Sequence, residues 1–277
     1  MRKQIAVLAS ALLLGGGVYA QNALQTQKPK AYMVSDAHLD TQWNWDIQTT
    51  IKDYVWNTIS QNLFLLKQYP EYIFNFEGGV KYAWMKEYYP AQYEEMKKFI
   101  ESGRWHISGA SWDATDTLVP SIESAIRNIM LGQNYYRKEF GVESTDIFLP
   151  DCFGFGWTLP AITSHCGLIG FSSQKLQWRN KPFYGNDKYP FTIGLWQGID
   201  GSTIMMAHGY DYNQRFEDED LSENKNLVGI DYPLSASHGL RYYGTGDIGG
   251  SPTFGVCTCH RERPARQWSV ADCQCHE

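Results

Sequence analysis

The chain has 277 residues and a formal net charge of −6, with no run of basic residues, which excludes nucleic acid as a partner held through its phosphates. Six cysteines fall in two groups, Cys152 and Cys166 in the body and Cys257, Cys259, Cys273 and Cys275 near the C-terminus, too sparse in the body for a disulfide framework. Aromatic residues make up 15%; core filling explains many of them, while those beside polar residues, as in Trp43-Asn44-Trp45-Asp46, have the character of a sugar-binding cleft.

Residues 1–20 read as a secretory signal peptide. A short basic start, Met1 to Gln4, precedes an apolar run from Ile5 to Val18, and Val18-Tyr19-Ala20 is a small-x-small cleavage site. The run is too short and too rich in glycine to span a bilayer comfortably. The mature chain is therefore expected to be exported, periplasmic or secreted, with no membrane attachment once the signal is removed. What remains is enough for one large domain, placed at 21–255.

The body alternates strand-like and helix-like segments. Tyr32 to Val34 is short and apolar, like a buried strand. Ile51, Val55, Ile59, Leu63 and Leu66 recur at helical spacing until Pro70. Tyr72 to Phe76 reads as a strand ended by Glu77-Gly78-Gly79. Tyr93, Met96, Phe99 and Ile100 mark a helix stopped near Gly103, and Trp105 to Ser108 is again a strand. Pro120-Ser121 opens a helix carrying Ile122, Ile126, Ile129 and Met130, which Gly141 stops. Strands follow at 146–149, 168–171 and 203–207. This order predicts an α/β fold, a mostly parallel sheet covered by helices and closed as a barrel or barrel-like sheet. Polar residues collect where strands end: His38, Asp40, Glu77, Asp113, Asp116, Asp151, Lys175 and His208. In parallel α/β folds that end carries the site. From Val256 the apolar periodicity stops, and Cys-x-Cys-His occurs at 257–260 and 273–276. Structural zinc sites use a wider cysteine spacing, so 256–277 is expected to be an atypical Cys/Arg-rich tail, disordered or non-native.

His38 and Asp40 follow the first strand directly. Alternate residues of an extended chain point the same way, so the two can reach one metal ion, with Asp151 contributing from another strand end. An imidazole and carboxylates suit zinc. An acid/base pair, or a core histidine with ordinary polar loop residues, are the open alternatives.

Six motifs in order give the chain a resemblance: "HLDTQW" (38–43), "GRWHISGASWDATD" (103–116), "FLPDCFGFGWTLPAI" (148–162), "GFSSQKLQW" (170–178), "LWQGIDGSTIMMAH" (195–208) and "YYGTGDIGGSPT" (242–253). Across Lys30 to Thr253 it resembles the N-terminal catalytic domain of the glycoside hydrolase family 38 α-mannosidases. The resemblance implies a seven-stranded β/α barrel-like domain of the glycoside hydrolase/deacetylase type. It also implies retaining hydrolysis of α-mannosides in glycans, with one Zn2+ per site. It makes His38, Asp40 and Asp151 zinc ligands and Asp151 also the nucleophile. Asp247 becomes the acid/base, Trp43 and Phe153 line the sugar site, and Lys175 lies near the substrate.

The sequence also departs from the family. The fourth zinc ligand lies in a His-His-Asp run of a downstream helical bundle, and this chain has no His-His pair. The expectation is a catalytic-domain fragment, truncated or frame-shifted near residue 255. A metal-dependent carbohydrate deacetylase and a non-catalytic sugar-binding remnant are the rivals; no His-x3-His motif supports the first.

Overall fold

The computed structural model describes residues 30–175, 193–208 and 238–252. Residues 1–20, read above as a signal peptide, and the expected tail at 256–277 lie outside them.

The first strand, β1 (Lys30–Ala37), is central. It pairs in parallel with β2 (Phe74–Glu77) on one side and along its whole length with β8 (His238–Thr245) on the other. β3 (Trp105–Ser108) extends the sheet beyond β2, giving the order β3-β2-β1-β8. β1 and β8 approach so closely at Asp36 and Gly244 that a Cβ at Gly244 would stand 1.9 Å from the Asp36 carbonyl oxygen. Only glycine fits there.

A second sheet contains β4 (Asp146–Phe148), β5 (Gly170–Ser173), β6 (Ile193–Gln197) and β7 (Thr203–His208), in the order β4-β5-β7-β6. The sheets meet where the N–H of Ala110, just past β3, donates to the Asp146 carbonyl at 2.8 Å. Phe148 of β4 and Tyr242 of β8 face each other across the interior, ring centroids 5.2 Å apart, with Val34 packed on them.

The fold is α/β with parallel sheets, as the periodicity predicts. The described strands form two sheets of four, however, and do not show a single seven-stranded barrel. One reason lies in β6, which pairs antiparallel with β7. Only residues 198–202 join the two strands, too few for the crossover that parallel neighbours require. Asp200 builds that turn, accepting from the backbone and hydroxyl of Ser202, and Gly201 takes φ 84°.

Helices cover the sheets. A helical turn (Ile47–Thr49) and a π-helical stretch (Thr50–Val55) lead into α1 (Trp56–Gln68). α2 (Gly79–Tyr88) and α3 (Pro90–Glu101) follow, Pro90 opening α3 where its missing N–H costs nothing. With β2 and β3 these helices bury Leu63, Leu66, Tyr82, Met96, Phe74, Phe76 and Trp105. Each such side chain contributes about 1.5–3 kcal/mol of burial. α4 (Ile122–Phe140) starts at Ser121, whose hydroxyl accepts the Ser124 N–H at 3.2 Å, and ends at Gly141 with φ 68°. With α5 (Leu159–His165) it covers the second sheet through Ile129 and Ile162. The helix and strand at 79–88 and 193–197 have weak periodicity and were not expected. The strand expected at 168–171 is shifted to Gly170–Ser173, because the Leu168 N–H caps the end of α5 at the Thr163 carbonyl, 3.0 Å away.

Candidate active site

His38, Leu39 and Asp40 continue β1 past its last ladder residue. The segment after β8 folds back over them. The His38 N–H donates to the Thr245 carbonyl at 2.8 Å, the Asp40 N–H to the Asp247 carbonyl at 2.8 Å, and the Gly249 N–H to the His38 carbonyl at 2.9 Å. Leu39 is wholly buried, so the extended alternation turns His38 and Asp40 together to the other side.

The His38 ring is held at both nitrogens. Nδ1 lies 2.8 Å from Glu77 Oε1 and Nε2 3.2 Å from Asp40 Oδ1. Burial opposes the charged ring, but hydrogen bonds to Asp40 and Glu77 outweigh it and push its pKa up to about 10. Glu77 is itself buried. Burial raises its pKa, yet Lys81 and His38 more than offset this and hold it below the usual carboxylate range. Lys81, also buried, stands 3.5 Å from Glu77 and 3.6 Å from Asp113. Burial lowers its pKa, and the Glu77, Asp113 and Asp40 charges together raise it above the ordinary value.

Asp151 lies three residues past β4, after Leu149-Pro150. It forms an ion pair with Lys175, whose ammonium also sits 4.4 Å over the Phe153 ring. His38, Asp40, Thr115, Asp116, Asp151 and Phe153 line one cavity of about 200 Å³. The structure thus brings together His38, Asp40, Asp151 and Phe153, with Lys175 against Asp151. Trp43 and Asp247 are not among the lining residues. Trp43 is exposed and packs edge-on against Trp45, centroids 6.0 Å apart. Asp247 meets the site through its backbone, with φ 60°.

Among the described residues, no three His, Cys, Asp or Glu side chains stand together as a group able to hold a metal ion. Asp40 is turned onto His38 and Asp151 onto Lys175. In kind, the donors fit zinc: one imidazole and two carboxylates face one cavity, and the second imidazole nitrogen is held by a buried carboxylate, as metal-binding histidines usually are. Lys81 escapes the sequence reading. Its only signal is its i, i+4 spacing from Glu77, which ordinary surface pairs share.

The sequence profile of the glycosyl hydrolases family 38 N-terminal domain matches residues 28–275, and the chain belongs to that family. The match runs on through most of the Cys/Arg-rich segment. The chain is 32% identical over 239 residues to alpha-mannosidase G of Dictyostelium discoideum, covering 85% of this chain and 21% of that protein. It is 31% identical to alpha-mannosidase 2C1 of Homo sapiens, covering 78% and 20%. It therefore spans about a fifth of the length of these relatives. Among solved structures, an alpha-mannosidase from Enterococcus faecalis superposes with a TM-score of 0.64 at 20% identity, over 81% of this chain and 26% of that one. A putative polysaccharide deacetylase from Mycobacterium smegmatis superposes with a TM-score of 0.54 at 9% identity, over 81% and 79%. These two likenesses concern the fold alone.

Proposed function

We propose that the protein hydrolyses terminal α-mannosides in glycans with retention of configuration, as a zinc-dependent, exported family 38 enzyme. The observation that carries this reading is the convergence of His38, Asp40, Asp151 and Phe153 on one cavity at the C-terminal ends of parallel strands. Its family membership and the curated mannosidases it matches support the substrate class. The signal-like residues 1–20 support export.

Retention requires two carboxyl groups acting in turn. Asp151 is the nucleophile: its carboxylate attacks the anomeric carbon and forms a glycosyl ester as the bond to the leaving oxygen breaks. Asp247, which does not line the cavity, is assigned by the resemblance alone as the proton donor to that oxygen. It then takes a proton from the water that cleaves the ester, which frees Asp151 and the α-anomer. Lys175 balances the Asp151 charge before attack, and Phe153 offers an apolar face to the ring. His38, Asp40 and Asp151 would hold a zinc ion, which when bound would supply Lewis acidity at the sugar. Glu77 fixes the His38 ring for that role.

The test is hydrolysis of an aryl α-mannoside followed by NMR, before and after treatment with a chelator. The expected result is early α-anomer, with activity lost to the chelator and restored by zinc. Early β-anomer would sink the double displacement, and chelator-resistant turnover would sink the metal. Release of acetate from an acetylated glycan in place of mannose would favour the deacetylase reading.

A further inference from the structure

We propose that Lys81 is a positioning residue for this site: its ammonium ties Glu77, which holds His38, to Asp113, which directly precedes the lining residues Ala114, Thr115 and Asp116. The proposal rests on the reading of His38 as a zinc ligand.

Lys81 sits in the first turn of α2 and is fully buried. A lysine is rarely buried, because removing its ammonium from water is costly unless counter-charges surround it. Here two carboxylates do so, at 3.5 and 3.6 Å. Both distances suit charge pairing more than a directed hydrogen bond. The Glu77 oxygen that faces Lys81 is the same Oε1 that lies 2.8 Å from His38 Nδ1. One carboxylate oxygen therefore carries both contacts, so the ammonium helps to fix the oxygen that orients the imidazole.

The other end of the link is equally fixed. Asp113 accepts the Thr41 hydroxyl, from the loop that follows Asp40, and the Ala114 N–H at 2.9 Å. Asn128 of α4 clamps its backbone from both sides: the Asp113 N–H donates to the Asn128 side-chain oxygen at 3.1 Å, and the Asn128 amide donates to the Asp113 carbonyl at 2.8 Å. Ala114, Thr115 and Asp116 follow directly and line the cavity. Lys81 thus stands between the carboxylate that holds His38 and the residue that leads into the lining segment 114–116. The backbone makes room for it. Gly78 takes φ 87°, and a Cβ there would stand 3.1 Å from Lys81 Nζ and 3.2 Å from its Cδ.

Taking away one partner of a buried ion pair leaves the other uncompensated, which by itself destabilises the fold. A lowered thermal midpoint alone therefore does not distinguish a structural from a positioning role, whereas zinc affinity and KM do. Lys81→Met keeps the length and removes the charge, and Lys81→Arg keeps the charge.

The experiment measures zinc affinity of the full chain by competition with a chelating dye, which requires no turnover. Thermal midpoint and KM for an aryl α-mannoside are measured alongside. The expected result is a Lys81→Met protein that folds with a lowered thermal midpoint, whose zinc affinity is about tenfold or more weaker and whose KM is raised, with Lys81→Arg restoring most of both. Lys81→Met binding zinc as tightly as the wild type, with KM unchanged, would overturn the proposal. Should Lys81→Met fail to fold, Asp113→Asn decides: it cuts the far pair at a partly exposed residue, and unchanged zinc affinity and KM there would overturn it equally. A wild-type chain that takes up no zinc overturns the metal reading itself and the proposal with it, a failure visible before any variant is compared.

Discussion

The carbonyl of Asp247 accepts the N–H of Asp40 at 2.8 Å, and Asp247 makes this contact from a left-handed backbone conformation, φ 60°. One backbone clamp thereby ties the two residues together. Asp and Asn tolerate this conformation best among residues with a side chain. Asp247→Asn should keep the clamp while lowering hydrolysis of poor leaving groups far more than of activated aryl mannosides, since only the former need a proton donor. Asp247→Ala should in addition lose about 1 kcal/mol of stability to backbone strain. Rates on both substrate classes settle the point; an equal loss on both would move the acid/base role elsewhere.

Asp151 is the most demanding position. An amide cannot form the glycosyl ester, so Asp151→Asn should reduce turnover by roughly 10³-fold or more. The side chain is only partly buried, and circular dichroism should show the fold intact. Near-normal activity would leave Asp151 as no more than the charge partner of Lys175.

Gly132 tests the packing behind the site. It lies where α4 crosses the Ala110-Ser111 backbone, and a Cβ there would stand 2.1 Å from the Ala110 carbonyl oxygen and 2.5 Å from the Ser111 carbonyl carbon. Alanine favours a helix over glycine by about 1 kcal/mol, but this overlap with backbone atoms should cost more. The expected net loss for Gly132→Ala is about 2 kcal/mol, read by chemical denaturation. An unchanged or raised midpoint would show that the loop can withdraw.

Asp146 predicts a pH effect on stability. Burial raises its pKa above the ordinary 3.8, against hydrogen bonds from the Gly109 N–H and the Ser144 hydroxyl. A carboxyl whose folded pKa is raised adds stability that is complete below the unfolded value and is lost as pH rises through the folded value. Asp146→Asn keeps an acceptor oxygen and cannot ionise. Its stability relative to the wild type should therefore improve from about pH 4 to pH 7. A constant difference across that range would refute the assignment.

The sequence alone determined the alternation of elements, the polar strand ends and the family. These rest on local spacing: the helical repeat from Ile51 to Leu66, the cap and stop at Ser121 and Gly141, the His-x-Asp placed straight after an apolar run. Period-two alternation also fixed that His38 and Asp40 share a side. Tertiary structure decided what these residues meet. Spacing could not show that the chain after β8 returns to clamp residues 38–40, because that pairing joins positions about two hundred residues apart. Nor could it show that β6 turns back on β7, where a five-residue connection decides strand direction. Lys81 is the sharpest case. In the sequence it is a lysine four residues after a glutamate, a pattern typical of solvated helix faces. Only the burial of α2 against the first sheet removes it from water and sets its charge between Glu77 and Asp113.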